Sequence, residues 1–164
     1  MNNFAKVNLK EIDPKEILGP TSHIYRSNLA FMTKELETYG IGSGQFEFLL
    51  VLYHKDGVSQ ETLAKLQKVS KATSARAIQN LEKEGYVYRE RDESDLRAYR
   101  VYLTDKGKEM RNIIFKKLTA FTDILFSDFT SEEIEIFRLL INKAAIKLFE
   151  PGFEPPSHRP GDLK

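Results

Sequence analysis

The 164-residue chain has no cysteine, no tryptophan and only three histidines. Without cysteine there are no disulfides, no thiolate metal centres and no redox sensing through a thiol. His23, His54 and His158 lie far apart and lack the short ligand spacing of a structural zinc site. No apolar run is long enough to span a bilayer, and Met1 is not followed by the basic, apolar and small-residue pattern of a secretory leader. The expectation is a soluble cytoplasmic protein with no cofactor, sized for one domain over 1–164. Glycine-rich phosphate loops and Ser/His/Asp groupings at recognisable spacing are also missing, which makes an enzyme the weakest reading.

Net charge is only +1, but it is unevenly distributed. Residues 65–117 hold 14 Lys and Arg against 8 Asp and Glu, while the rest of the chain holds 11 against 16. A basic centre flanked by acidic surface suits a polyanionic partner met on one face. An ordinary solvated charged face is the alternative.

The apolar pattern is helical over most of the chain. From about Glu16 to Tyr39, Ile17, Ile24, Leu29, Met32 and Leu36 recur at near-helical spacing until Gly40-Ile-Gly42 breaks the run. Ser43 is read as the cap of a second helix that turns Phe46, Leu49, Leu50 and Tyr53 inward and stops near Asp56-Gly57. Ser59 caps a third, with Leu63, Ala64 and Leu66 inward, and Ser70 a fourth, with Ala75, Ile78 and Leu81 inward and Gly85 as its stop. Tyr86–Arg91 and Tyr99–Leu103 read as a hairpin, with Val101 and Leu103 on one face of the return strand. Thr104 then caps a long helix to about Phe126, carrying Met110, Ile114, Leu118, Phe121 and Leu125. Thr130-Ser-Glu-Glu133 is a capping box opening a last helix with Ile134, Phe137, Ile141, Ala144 and Leu148. Residues 151–164 hold four of the six prolines and read as an extended tail.

The central stretch, 58–104, carries the chemistry. A short capped helix, a polar-faced helix and a basic ribbon have the dimensions to enter a major groove and touch the adjoining minor groove. On the fourth helix Thr73, Arg76, Ala77 and Asn80 fall opposite the apolar stripe, where Arg suits guanine or phosphate, Asn suits adenine, and Thr and Ala suit a thymine methyl. Lys71 and Ser74 flank that face near the helix start, and Ser59 and Gln60 open the third helix for the opposite strand. Arg89, Arg91 and Arg100 along the hairpin are expected phosphate contacts. Asp95 and Arg97, near its tip, suit a guanidinium posed by a carboxylate for the minor groove; the same pair also suits a staple of the loop.

The two C-terminal apolar stripes need something to pack against. An intramolecular bundle with the first helix would serve, but Phe115, Phe126, Phe129 and Phe149 add apolar surface off the stripes. The favoured reading is a homodimer interface built from both chain ends. The fold class is thus mainly α with a small β-hairpin wing: a winged helix-turn-helix over 43–104, with dimerisation helices at 16–39 and 105–148.

The segment Asp95-Leu-Arg97-Ala-Tyr-Arg-Val-Tyr-Leu103-Thr104-Asp-Lys-Gly107 resembles the MarR family signature of Asp-x-Arg, a strand, then Leu-Thr-x-x-Gly. Lys71 to Gly85, ending Leu81-Glu-Lys-Glu-Gly85, is similar to that family's recognition helix, and the order of elements matches over about 16–148. The resemblance implies a homodimeric repressor on double-stranded DNA, bound at a pseudo-palindromic operator with half-sites about one helical turn apart. It also implies release by a small anionic aromatic effector in the crevice between dimerisation helices and winged lobe. His23, Tyr25, Arg26 and Tyr53 are the candidates to line that crevice, with Arg26 neutralising a carboxylate; core tyrosines and a surface arginine are the other reading. Two rivals stay open: a winged-helix protein–protein module using its basic face on an acidic partner, and an architectural DNA binder without an effector. No membrane partner is expected.

Overall fold

Asp13 starts the first helix. Its carboxylate accepts a hydrogen bond from the Lys15 N–H at 2.9 Å, and Pro14 occupies the first helical position, where a missing N–H costs nothing. The computed structural model describes residues 12–93, 95 and 98–148. The expected tail over 151–164 and Phe149 lie outside them.

The elements run in the expected order. Helix α1 spans Pro14–Leu36 and ends in a 3₁₀ turn, Glu37–Tyr39. Next come α2 (Gln45–His54), β1 (Val58–Ser59), α3 (Gln60–Leu66), α4 (Lys71–Lys83), β2 (Val87–Arg91) and β3 (Tyr99–Leu103). The chain closes with α5 (Asp105–Leu125), α6 (Ser131–Ala145) and a 3₁₀ turn, Ile146–Leu148. The strands form one antiparallel sheet in the order β1-β3-β2, with Val87 opposite Leu103 and Arg91 opposite Tyr99. Strand β1, with Val58 opposite Val101, was not expected, since two residues are too few to show an alternation.

Ser59, Ser70, Thr104 and Thr130 cap their helices as the sequence suggests, and Thr130 with Glu133 completes the capping box. Ser43 does not. The cap of α2 is Gly44 in the left-handed region at φ 73°, and the Gln45 side chain folds back to accept the Gly42 N–H at 3.2 Å. The turn is thus closed by glycine backbone and leaves the serine hydroxyl no role.

The core lies where α2, α4, α5 and the C-terminal half of α1 meet the sheet. Met32, Leu36, Phe46, Leu49, Leu52, Ile78, Leu81, Val87, Val101 and Ile114 are almost wholly buried. Helix α2 also buries Phe48, which the inward stripe omitted; Leu50 and Tyr53 are half-buried against the same core. Such a helix is apolar all round because it has neighbours on several sides.

The chain ends differ. Ile17 is 55 % exposed, and within the described residues no residue of α6 is buried. Phe126 meets Phe129 and Phe137 edge-on, both at 5.4 Å, which holds the α5–α6 turn. Of the expected stripe Ile134 and Phe137 are half-buried, while Ile141 and Leu148 are exposed, as are Ile136, Leu139 and Leu140 beside it.

Candidate nucleic-acid interface

Two capped helix starts point to one side of the lobe. The Ser59 hydroxyl oxygen accepts from the Thr62 N–H, and Ser70 does the same for Thr73, both at 3.1 Å. Between the helices, Lys68 takes a left-handed backbone at φ 51°, which turns the chain sharply from α3 into α4. The wing completes the arrangement. A cleft of about 250 Å³ opens between these helix starts and β3, lined by Ser59, Gln60, Glu61, Lys71, Asp95 and Tyr99.

On α4, Lys71, Thr73, Arg76 and Asn80 are exposed on the expected outward face. Ser74 is not on it: the side chain is fully buried, and its Oγ has no hydrogen-bond partner among the described residues. The buried stripe of α4 runs Ser74, Ile78, Leu81, so Ser74 takes the inward place expected for Ala75, which is only half-buried. Ala77 is half-buried and packs against the core instead of standing free in the groove-facing set. Lys71 pairs with Glu61 at 3.2 Å, and this ammonium, with Lys65 behind it, holds the Glu61 carboxyl below the usual range.

The hairpin arginines separate into two kinds. Arg91 is exposed, with no ion pair among the described residues. Arg89 is half-buried and donates twice to Glu82 on α4, at 2.6 and 3.1 Å, with its guanidinium 5.6 Å from the Tyr99 ring. Arg100 reaches Asp92 at 2.5 Å and donates to the Gly57 carbonyl at 2.9 Å. Both were expected on phosphate; in the free chain both are engaged within the lobe. Asp95 is exposed, and its carbonyl accepts the Ala98 N–H at 2.8 Å. Arg97 lies outside the described residues. Tyr99, Glu61 and Asp92 were missed: the first lines the cleft only through the register of β3, and the carboxylates carry the wrong sign for a search guided by basic residues.

The four crevice candidates do not converge. Arg26 lines an open groove of about 750 Å³ with Leu29, Ala30, Thr33, Gly42 and Ser43, between α1 and the start of α2. Tyr25 is exposed beside it and donates to Glu47 at 3.4 Å. Partial burial, then the Glu47 charge, raises the Tyr25 pKa, and burial raises that of Glu47. Tyr53 faces elsewhere, donating to the Gly107 carbonyl at 2.9 Å and packing on Phe115; burial drives its phenol pKa up. His23 is exposed. Asn28 Oδ1 and Arg111 Nε are buried without hydrogen-bond partners among the described residues, and Arg111 lies 5.2 Å from the Phe115 ring; no sequence motif marks them.

Two helices joined by a sharp turn, the second flanked by a small antiparallel sheet, define a winged helix-turn-helix, a class of DNA-binding transcription regulators. The MarR family model matches residues 41–99, from the end of the first turn to the wing. An uncharacterised HTH-type transcriptional regulator of Bacillus subtilis, YybA, is 30 % identical over 78 % of this chain and 85 % of its own. A MarR transcriptional regulator from Methanosarcina mazei superposes with a TM-score of 0.74 at 45 % identity, over 82 % of this chain and all of that one. The fold is shared with a putative MarR family regulator from Listeria monocytogenes complexed with 26mer DNA, at 24 % identity and TM-score 0.72, over 80 % of this chain and 88 % of that one. The chain belongs to the MarR family: it is a DNA-binding transcription regulator and not an enzyme. Among the described residues, no helix is long and apolar enough to cross a membrane.

Proposed function

We propose that the protein is a homodimeric repressor that binds a pseudo-palindromic operator with one winged helix per half-site. The observation that carries the dimer is the outward apolar surface of the chain ends. Ile136, Leu139, Leu140 and Ile141 on α6, Ile124 on α5 and Ile17 and Leu18 on α1 are all exposed. A monomer that leaves so many large apolar side chains in water invites a second copy to cover them. On this reading 16–39 and 105–148 are the dimerisation helices, and 43–104 is the lobe that meets DNA.

In the lobe, Arg76 and Asn80, with Thr73, read the major groove, while Lys71, Ser59, Gln60 and Arg91 hold phosphates around it. Arg97, on sequence grounds and with Asp95 posing it, enters the minor groove. The likeness to a regulator complexed with DNA supports the same use of the lobe here. Release by a small anionic aromatic ligand belongs to the same proposal, with Arg26 in the α1 groove as the residue that meets its carboxylate. Such a ligand loosens DNA only by binding better to a lobe spacing that misfits the operator.

The test is a selection from a random duplex pool with purified protein near physiological salt, beside a mass measurement in solution. An enriched inverted repeat with fixed spacing and a dimeric mass support the reading. Retention without a motif points to architectural binding, and no retention to a protein partner. Placing the selected site over a reporter promoter then separates repression from activation.

A further inference from the structure

We propose that Asp92 and Arg100 are a positioning pair that sets the wing's pose on DNA, and that Arg100 is not a phosphate contact. The inference rests on the lobe being the DNA-binding unit. Asp92 is 6 % exposed, a buried carboxylate in the part of the chain that meets a polyanion. A negative charge there weakens phosphate binding unless it holds something in place.

What it holds is the root of the wing. The Asp92 N–H donates to the Ala98 carbonyl at 3.0 Å, just beyond the last paired residues, Arg91 and Tyr99. Its carboxylate meets Arg100 Nε at 2.5 Å, and Arg100 Nη1 carries the connection to the Gly57 carbonyl in the turn after α2. Asp56 in the same turn accepts the N–H groups of Gly57 and Leu103, each at 3.0 Å. One guanidinium thus ties the end of β2, the body of β3 and the turn beneath α3 together. The planar fork of arginine can serve two acceptors in different directions; an ammonium is a single point charge. The Arg100 side chain is 44 % exposed, but its charge is matched by Asp92.

Binding to the selected duplex is measured across a salt series for the whole protein and for Asp92→Asn, Arg100→Lys, the double variant and Arg91→Gln. Positioning predicts that each single pair variant loses about tenfold in affinity, the scale of one charge-assisted hydrogen bond. The double variant loses no more than either single one, and the salt slope is unchanged, with all variants melting cooperatively well above the assay temperature. Arg91→Gln reduces the slope by about one, as a phosphate contact should. Tighter binding by Asp92→Asn, full affinity in Arg100→Lys, or additive losses would overturn the pair. If the unsubstituted protein retains no duplex, the DNA reading of the lobe fails first, a result distinct from all of these.

Discussion

Gly107 lies so close beneath Tyr86 that a Cβ added to it would sit 2.1 Å from the Tyr86 carbonyl oxygen. The contact fixes where α5 leaves the wing. Thr104 reinforces it, its hydroxyl donating to the Gly85 carbonyl at 2.7 Å while the Gly107 N–H donates to Thr104 Oγ1 at 3.0 Å. The Leu-Thr-x-x-Gly motif is therefore a joint between the winged lobe and the long helix α5.

Gly107→Ala must push that backbone apart. The expected loss is about 1–3 kcal/mol of folding stability, read as a lower urea midpoint with unchanged m-value. An unchanged midpoint would mean that the joint is looser than its geometry.

Ser74→Ala tests the inward placement of a residue expected at the DNA face. Removing a buried hydroxyl without a partner should leave stability equal or raise it by about 1 kcal/mol, with DNA affinity unchanged. A marked fall in affinity would return Ser74 to the phosphate contacts.

Arg76→Ala and Arg97→Ala should each weaken operator binding by about 1–3 kcal/mol while the solution mass stays that of a dimer. A gel-shift titration beside light scattering reads both quantities. Full affinity in both variants would remove these residues from the recognition set.

Leu140 is 60 % exposed on α6, so Leu140→Glu should cost a monomer little. In the proposed dimer it buries a charge, and the expected outcome is a monomeric mass with loss of operator binding. A dimer that persists would place the interface elsewhere.

Glu47 gives a pH dependence of definite sign. Burial raises its folded pKa above the unfolded value, so the folded state binds the proton more tightly. Its contribution favours folding below the unfolded pKa and is lost as pH rises through the folded pKa. Glu47→Gln keeps an acceptor for the Tyr25 hydroxyl, and it should raise the urea midpoint at pH 7 but not at pH 4. Equal effects at both pH values would point to packing instead of protonation.

The caps at Ser59, Ser70, Thr104 and Thr130 were legible because a cap is a local event, set within three residues of sequence. The same locality misled at Ser43, where the preferred residue type stands beside a glycine that took the cap by its left-handed backbone. The two tyrosines of the crevice set part for a different reason. Tyr25 on α1 reaches Glu47 of α2, whereas Tyr53 lies on α2 itself and turns to Gly107 of α5, so helical spacing alone could not tell which way either ring faces.

Period, turn chemistry and charge along the chain suffice for its class: helix order, caps, the stop at Gly85, the strand Tyr99–Leu103 and the basic centre all follow from them. Which basic residues face outward is set by packing between elements. Arg89 and Arg91 stand two apart on one strand with the same chemistry, but Glu82 on α4 lies within 2.6 Å of Arg89 alone. Whether a cation is a contact or a clasp depends on which carboxylate the fold brings beside it, and the turn between α4 and β2 brings Glu82, seven residues back on another element, to Arg89 and not to Arg91.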